Sequence, residues 1–374
     1  MNTVRLAAAG AGKTYGICCE ALEEIRENEC ARVLMVTYTN RGTEAIRTEL
    51  EAQNYGVLPA GIVVYTWYQF LLKELIKPYQ TYITGINKLV SFDFSLEHSR
   101  NYASAGTAKR YITDSNNVRS EEASNLILLL DERSEHKVFS RLAGAYSSIY
   151  IDEVQDLAGH DIDVLEMLFA LDMSVVCVGD NKQATFQTHS TKTNKKKSGK
   201  NIFSFFRELQ RKNIVEIQES LCSRRFNSQI CSFANRVYPN DKNITSDMTE
   251  ETEHDGVFLI AKEDASKYFE FFLPQELRFN KNTVDTCGYN VVNFGECKGK
   301  TYPRCLIHAN KTFIDFLKGK TLKAPEKYKY YVAVTRAKYS NAIVVDSLFS
   351  AAGFEKCKIM LGDQEIEAEK FICS

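Results

Sequence analysis

This 374-residue chain has almost no net charge, with a formal value of −1. It also lacks long apolar runs and metal-ligand spacings. Its 47 lysine and arginine residues nearly balance 48 aspartate and glutamate residues. Bulk charge therefore cannot steer it to nucleic acid, and any such contact must come from a local groove. No apolar run reaches the roughly 18 residues of a membrane-spanning helix, and no signal peptide is visible at the start. We therefore expect a cytoplasmic protein with no membrane partner.

The 11 cysteines form neither a C-x-x-C pair nor a cysteine–histidine cluster with zinc spacing. An odd number of scattered thiols is typical of a reducing compartment. This pattern favours small core residues, with an iron–sulfur or zinc site as the open alternative. The chain has no internal repeat, and its 44% apolar and 25% charged residues are typical of a globular protein long enough for two domains.

Strand and helix patterns alternate along the first part of the chain. An apolar strand, Val4 to Ala8, leads into a Gly-rich loop and a helix over Lys13 to Glu27. The same alternation continues with a helix near 43–53 and with strands at 32–38, 61–66, 148–151 and 175–178. This order predicts a parallel α/β sheet.

Two stretches interrupt that alternation. Residues 80–137 are polar and rich in serine and asparagine, which predicts a small, mostly helical insertion. Residues 191–200 contain a lysine run, for which a solvated loop and a contact with nucleic-acid phosphates are both open. A second α/β block starts near Ile214, with strands predicted at 257–260, 289–293, 305–308 and 342–345.

A phosphate-binding loop lies between the first strand and the first helix. Its glycines let backbone N–H groups curl around phosphate oxygens, Lys13 reaches the β- and γ-phosphates, and Thr14 places its hydroxyl on Mg²⁺. The strand-to-helix context supports such a loop over a chance match in an Ala/Gly-rich helix start. The predicted nucleotide-binding residues are Ala7, Ala8, Ala9, Gly10, Ala11, Gly12, Lys13 and Thr14.

An apolar strand, Ile149 to Ile151, carries two carboxylates to its carboxyl end. Asp152 would bind Mg²⁺, usually through water, and Glu153 would orient and deprotonate the attacking water. Acidic pairs are common at strand ends, and the phosphate loop upstream is what makes this pair a catalytic candidate. Both motifs together predict ATP and Mg²⁺ as ligands.

The acidic box continues to Asp156 in the form D-E-x-Q-D, which resembles the Walker B box of UvrD/Rep-type superfamily 1 DNA helicases. Residues 37–41 resemble that family's T-F-T-N-K box, and residues 66–70 resemble its T-x-H-S-F box. Residues 178–186 resemble G-D-x-x-Q-S-I-Y, which implies that Gln183 senses the γ-phosphate. The resemblance implies single-stranded DNA contacts by Tyr38, Thr39, Asn40, Thr66, Trp67, Tyr68 and Phe186. For the aromatic residues among them, core packing is the open alternative to base stacking.

Two arginines of the second block also match family boxes. Residues 223–230 resemble N-Y-R-S, which places Arg225 at the family's arginine, and residues 330–337 resemble Y-V-A-x-T-R-A, with Arg336 as the second. The resemblance implies that both stabilise charge on the γ-phosphate in the transition state, an effect worth about 10³–10⁵ in rate in related systems. The open alternative is a surface salt bridge. The catalytic set is therefore Lys13, Glu153, Gln183, Arg225 and Arg336.

Four features depart from the family. Its adenine-reading glutamine precedes the phosphate loop, but none of the six residues before Ala7 is a glutamine. Tyr15 or Arg224 would then hold the base, because a guanidinium can stack on a ring. The box around Lys298, which would contact DNA, matches loosely. The insertion at 80–137 is short, and the family's large second insertion is almost missing.

The resemblance implies an α/β fold of two RecA-like P-loop NTPase domains with parallel sheets and an ATP site in the cleft between them. We expect the first domain at 1–79 and 138–212, the reduced helical insertion at 80–137 and the second domain at 213–374.

The implied activity is that of an ATP-dependent translocase or helicase, 3′ to 5′, on single-stranded DNA or a partly single-stranded duplex. The alternative is a nucleic-acid-gated ATPase switch that regulates a separate nuclease subunit in DNA repair or in antiviral (phage) defence. Strand displacement distinguishes the two hypotheses, because a switch would hydrolyse ATP on DNA without displacing a strand.

Overall fold

Two compact units account for the chain. The computed structural model describes residues 2–83, 88–95, 103, 104, 106–183, 194, 196, 197, 201–282, 286–288, 290–323 and 326–372. The first unit consists of Met1–Leu6, Lys13–Asn181 and Gln187–Glu219. The second consists of Ala7–Gly12, Lys182–Phe186 and Ser220–Ser374. None of the described helices is both long and apolar enough to cross a membrane.

The first unit is built on a parallel sheet, as the sequence predicts. Its strands are β1 (Thr3–Ala7), β2 (Val33–Thr37), β3 (Ile62–Thr66), β4 (Phe92–Asp93), β5 (Val118–Arg119), β6 (Ser148–Ile151), β7 (Ser174–Gly179) and β8 (Glu216–Ser220). Six of them form one sheet in the order β3-β2-β6-β7-β1-β8. Strands β2 and β6 are buried along their whole length, as parallel strands covered on both faces are. Strand β8 lies past residue 212, where the sequence analysis ends the first domain.

Helices cover this sheet and also occur in the insertion. They are α1 (Lys13–Glu27), α2 (Asn40–Gln53), α3 (Trp67–Phe70), α4 (Ala108–Tyr111), α5 (Ala123–Arg133), α6 (Lys137–Ala145), α7 (Asp161–Phe169) and α8 (Ile202–Arg211). Helix α1 has the predicted bounds and buries Ile17, Cys18, Ala21 and Leu22, the one-face spacing of an amphipathic helix. The insertion is expected to be mostly helical, and its described residues contain the helices α4 and α5 together with the short parallel pair β4–β5.

The sheet of the second unit is mixed. Its strands, with those of a small separate pair, are β9 (Cys222–Ser223), β10 (Thr245–Ser246), β11 (Gly256–Ala261), β12 (Gln275–Arg278), β13 (Val292–Asn293), β14 (Tyr302–His308), β15 (Ala337–Val345), β16 (Phe354–Leu361) and β17 (Gln364–Phe371). The seven-stranded order is β13-β12-β14-β15-β11-β17-β16. The first five strands are mutually parallel, as predicted for four of them, and β12 is an additional strand that the sequence analysis does not predict. Strand β17 runs antiparallel to both β11 and β16.

The antiparallel hairpin is absent from the sequence-based prediction. Leu361 pairs with Gln364, which leaves a two-residue turn that begins with Gly362 at a φ of 66°. Strands joined by two residues can only be antiparallel. The helices of this unit are α9 (Ser228–Val237), α10 (Ala265–Phe272), α11 (Lys311–Leu317) and α12 (Glu326–Val334).

Candidate functional site

In the first unit, α1 and β6 bring together the two predicted metal ligands. Thr14 is the second residue of α1, and Asp152 directly follows β6. The Thr14 hydroxyl donates a hydrogen bond to Asp152 Oδ2 at 3.1 Å. The backbone N–H of Asp152 donates to the carbonyl of Val36 at the end of β2, at 2.7 Å. A hydroxyl and a carboxylate oxygen are ligands that suit Mg²⁺, so this pair fits the ion that the sequence predicts.

The Asp152 carboxyl lies in an environment that disfavours its charge. Burial, and next the charge of Glu153, raise the pKa of Asp152, while Lys13 and the hydrogen bond from Thr14 oppose that rise. Across the described part of the chain, no three His, Cys, Asp or Glu side chains lie together as metal ligands. A magnesium ion here would therefore take most of its ligands from water and from a nucleotide, as Mg²⁺ commonly does.

Glu153, the predicted general base, has an unusual backbone conformation. Its φ is 57°, in the left-handed region that residues other than glycine rarely occupy. Its N–H donates to Asp152 Oδ1 at 2.8 Å, and its carboxylate accepts a hydrogen bond from Gln155 Nε2. Such a conformation costs about 1–3 kcal/mol and persists only where the surroundings determine it, which is common at active sites.

Gln155 and Gly179 are site residues to which the sequence analysis assigns no role. The Gln155 side chain is fully buried, and its Oε1 accepts a hydrogen bond from the N–H of Asp180 at 3.1 Å. A Cβ atom on Gly179 would lie 2.4 Å from that Oε1. The signal for this role was the glutamine in the D-E-x-Q-D box, which has no task in binding the metal or activating water.

In the second unit, the phosphate loop segment Ala7–Gly12 bonds to the residues that precede α9. The Ala8 N–H donates to the carbonyl of Ser220, and the carbonyl of Gly10 accepts from the N–H of Arg224, both at 2.9 Å. Gly10 has a φ of 75°, and a Cβ there would lie 2.5 Å from both Arg225 Cβ and Ser223 Oγ. Conformation and lack of space therefore both require glycine at position 10.

Arg336, two residues beyond α12, is buried and bonded on several sides. Its Nε donates to the carbonyl of Val332 at 2.9 Å, and its Nη1 to the carbonyl of Lys300 at 3.2 Å. Its Nη2 lies 3.3 Å from Gln183 Oε1 and 3.1 Å from Thr335 Oγ1. Only 1% of its surface is exposed, so a surface salt bridge does not describe this arginine.

Arg225 lies beside the same segment. Its Nη1 donates to the carbonyl of Thr335 at 3.4 Å, one residue from Arg336. The second unit therefore groups three of the predicted catalytic residues, Gln183, Arg225 and Arg336. The first unit groups Lys13, Thr14, Asp152 and Glu153, and Lys13 follows Gly12 directly in the chain.

Lys182 anchors the segment that carries Gln183, and the sequence analysis gives it no role. Its Nζ donates to the carbonyl of Lys242 at 3.0 Å and lies 5.4 Å from the ring centroid of Tyr238. The Tyr238 hydroxyl in turn donates to the carbonyl of Lys182 at 3.3 Å. Lys182 is 5% exposed, so these contacts fix the backbone next to Gln183 within the second unit.

The two candidates for holding a base are both exposed. Arg224 is 71% exposed at its side chain, and its Nε lies 3.6 Å from Asp247 Oδ2. Tyr15, on α1, is 52% exposed. Both side chains are accessible to a ligand, and each belongs to a different unit.

Several predicted DNA contacts have structural tasks in the first unit. The Thr39 hydroxyl caps α2 by accepting from the N–H of Gly42 at 3.0 Å. Thr66 caps α3 in a capping box with Gln69. Trp67 is fully buried and packs on Phe70, so the structure favours core packing for its indole and leaves no face for a base.

The remaining candidates are more accessible. Asn40 is exposed, and Tyr38 and Lys298 are half-buried. The half-buried Tyr68 packs edge-on against Phe92 and Phe94, with ring centroids 5.1 and 5.0 Å away. Phe186 and most of the lysine run at 191–200 lie outside the described residues.

Comparison with known proteins identifies the family of this chain. Among solved structures, the chain is similar to the arterivirus nonstructural protein 10 helicase in complex with DNA, with 12% sequence identity and a TM-score of 0.47. That similarity covers 92% of this chain and 61% of the viral chain. No curated protein matches the chain. A family model described as an AAA domain matches residues 2–188, which include the phosphate loop, both carboxylates and Gln183. Because that match covers half of the 374 residues, the chain belongs to the AAA domain family.

Proposed function

We propose that this chain is an ATPase that acts as a translocase or helicase of the UvrD/Rep-type superfamily 1 and moves 3′ to 5′ along single-stranded DNA. The observation that carries the proposal is the grouping of Gln183, Arg225 and Arg336 in the second unit. Binding and hydrolysing a nucleotide requires the phosphate loop and the carboxylates. A glutamine that senses the γ-phosphate, bonded to a buried arginine and with a second arginine beside it, is what a motor that responds to hydrolysis needs in addition.

Each of the site residues has its own task in the hydrolysis of ATP. Backbone N–H groups of the phosphate loop and the Lys13 ammonium bind the phosphates, and Thr14 and Asp152 would hold Mg²⁺, which offsets phosphate charge when bound. Glu153 takes a proton from water as the water oxygen bonds to the γ-phosphorus. The bond to the β–γ bridging oxygen breaks, and its electron pair leaves with ADP. Arg225 and Arg336 stabilise the negative charge that develops.

Among the described residues, four side chains remain candidates for the DNA contact: Tyr38, Asn40, Tyr68 and Lys298. Aromatic faces stack on bases without strong sequence preference, and a lysine contributes charge to the backbone. Gln183 follows Asp180 by three residues, so the nucleotide-sensing segment is continuous with the carboxyl end of β7. Movement along single-stranded DNA would follow from a conformational change in this segment when the γ-phosphate leaves.

One experiment separates this function from its alternative. ATP hydrolysis is measured with no nucleic acid, single-stranded DNA, double-stranded DNA and RNA, and strand displacement is measured on duplexes with a 3′ or a 5′ single-stranded tail. We expect stimulation by single-stranded DNA and displacement from the 3′-tailed duplex, both absent in Lys13→Ala. Displacement only from the 5′-tailed duplex would overturn the polarity, and stimulation by RNA alone would overturn the substrate.

The second candidate is a nucleic-acid-gated switch that regulates a nuclease subunit in DNA repair or antiviral defence. The short chain between α9 and β14 favours it, because this stretch contains one helix, α10, among its described residues and leaves little room for an accessory subdomain. DNA-stimulated hydrolysis with no displacement from any tailed duplex would support this candidate over the helicase.

A further inference from the structure

We infer that Gln155 is a positioning residue for hydrolysis, which holds the Glu153 carboxylate and ties it to the backbone at the end of β7. The inference rests on the proposed role of Glu153 as the general base. It concerns a side chain that touches neither nucleotide nor metal in that proposal, and that acts through its neighbour.

The orientation of the Gln155 amide follows from its two partners. Nε2 donates to a carboxylate oxygen of Glu153, and Oε1 accepts from the N–H of Asp180 at 3.1 Å. Turning the amide over would set its oxygen against a carboxylate and its NH₂ group against an N–H donor. Because the side chain is fully buried, water cannot satisfy those groups instead. The amide therefore has one stable orientation.

The site of the amide is shaped by the strand end beside it. A Cβ on Gly179 would lie 2.4 Å from Gln155 Oε1 and 3.0 Å from Val154 Cγ1. Any larger residue at 179 would displace the amide, and with it the hydrogen bond to Glu153. The pocket for Gln155 thus needs a glycine that its backbone conformation does not require, since Gly179 has no positive φ.

A general base must lie within about 2.6–3.2 Å of the proton that it removes. The Glu153 side chain has three rotatable bonds, and the Gln155 hydrogen bond restricts them in a direction that the backbone alone does not fix. A misplacement of about 1 Å at a reacting group can cost on the order of 10²-fold in rate. Loss of the amide should therefore reduce kcat while leaving the nucleotide contacts of Lys13 and Thr14 in place.

The test compares Gln155→Leu, Gln155→Glu and Gly179→Ala in the full chain, with ATP as substrate. We expect Gln155→Leu and Gly179→Ala to lower kcat by about 10- to 100-fold with KM within about threefold. Gln155→Glu places a like charge against Glu153, so the acidic limb of its kcat–pH profile should move to higher pH. Gln155→Leu added to Glu153→Gln should cause little further loss, because the group that it positions is already gone.

Ser124→Ala is the matched control, because it also removes a buried hydrogen bond of the first unit, from Ser124 to Asp161. It should leave kcat unchanged, and thermal unfolding of every variant separates folding defects from rate effects. If Gln155→Leu does not fold, the pH profile of Gln155→Glu decides. Wild-type kcat and an unmoved pH profile in the Gln155 variants, with hydrolysis abolished in Glu153→Gln, would overturn the inference alone. Hydrolysis at the wild-type rate in Glu153→Gln would overturn the proposed function instead.

Discussion

The two units hold their charged residues in different ways. In the first, Asp152 and Glu153 follow β6 and are held mainly by side chains, those of Thr14 and Gln155. In the second, Arg336 and Arg225 are held largely by main-chain carbonyls, those of Val332, Lys300 and Thr335. In the first unit, burial raises the pKa of Asp152 and Lys13 opposes that rise, whereas in the second unit the arginines already donate to carbonyls of the protein. Removing a carboxylate from the first unit and an arginine from the second should therefore affect the hydrolysis rate and the stability differently.

The arginines give the largest expected effect. Arg225→Ala and Arg336→Ala should each lower kcat by about 10³–10⁵-fold with a much smaller change in nucleotide affinity, since both act on transition-state charge. Only Arg336→Ala should also destabilise the fold, by about 1–3 kcal/mol, because it removes several hydrogen bonds made by a buried guanidinium. Steady-state kinetics and urea denaturation measure both effects.

Arg211→Ala, at an exposed position at the end of α8, is the control for that pair and should change neither quantity. A rate within about threefold of wild type, under 1 kcal/mol of barrier, would show that the substituted arginine does not stabilise the transition state. Equal loss of stability in both variants would remove the distinction drawn between a buried and a half-buried arginine.

The second-largest effect is expected at Glu153, the proposed general base in the first unit. Glu153→Gln should lower the single-turnover rate by about 10²–10⁴-fold while ATP still binds, because only water activation is lost. Lys13→Ala should instead weaken ATP binding, because it removes a phosphate contact. Filter binding with labelled ATP and rapid-quench kinetics tell the two apart. Weakened ATP binding in Glu153→Gln would mean that this carboxylate has a second task.

Substitution of Asp152 tests whether the ionised carboxylate at this position lowers the stability of the first unit. Burial raises the pKa of Asp152 in the folded chain, so the folded state retains a proton that the unfolded state loses. Stability therefore falls as the pH rises above the ordinary aspartate pKa, up to the raised pKa of the folded state, by roughly 1.4 kcal/mol for each unit of the shift. Asp152→Asn should then stabilise the nucleotide-free protein at pH 7, and the gain should vanish at low pH.

Chemical denaturation between pH 3 and pH 8 in the absence of Mg²⁺ measures that gain. Asp172→Asn, in the turn before β7, is the control, and it should show no comparable pH-dependent gain. An Asp152→Asn protein less stable than wild type at pH 7 would show that Lys13 and Thr14 already compensate the charge.

The smallest expected effect concerns the base. Arg224 and Tyr15 are exposed and can offer stacking, which tolerates every base. Hydrolysis of GTP, dATP and CTP should stay within about tenfold of ATP, or ~1.4 kcal/mol. Competition among the four ribonucleotides measures this, and Arg224→Ala should weaken all of them alike. A preference for ATP of about 100-fold or more would mean that a polar group reads the adenine edge.

The sequence predicted elements best where one local pattern decided them. Helix α1 has its predicted bounds because a Gly-rich loop sets its start, and β6 has them because four buried residues form one apolar run. Strand β13 is only Val292–Asn293, against a prediction of 289–293, and the β16–β17 hairpin was missed. The Gly362–Asp363 turn was its signal, but polar residues on both strands hid the two-residue period that marks a strand.

The residues of the candidate site also differ in how far the sequence alone could predict them. Residue types with a single chemical task, such as Lys13 or Glu153, can be proposed from a motif. The position of Trp67 in the core and the contact of Gln155 with Asp180 depend on three-dimensional packing, which joins residues far apart in sequence. An amide or an indole has several possible tasks, and only its neighbours decide among them.

Strand β1 pairs in parallel with β7, with Thr3 opposite Val176. The strand that leads into the phosphate loop is thus synthesised before its partner, which emerges roughly ten to thirty seconds later at ordinary translation rates. Strands β2, β3 and β6 can assemble in that interval, while β1 waits with an unpaired backbone. The loop's own contacts at Ser220 and Arg224 come later still. A nascent chain therefore gains its nucleotide site late, and a chaperone that shields β1 would protect its unpaired backbone during synthesis.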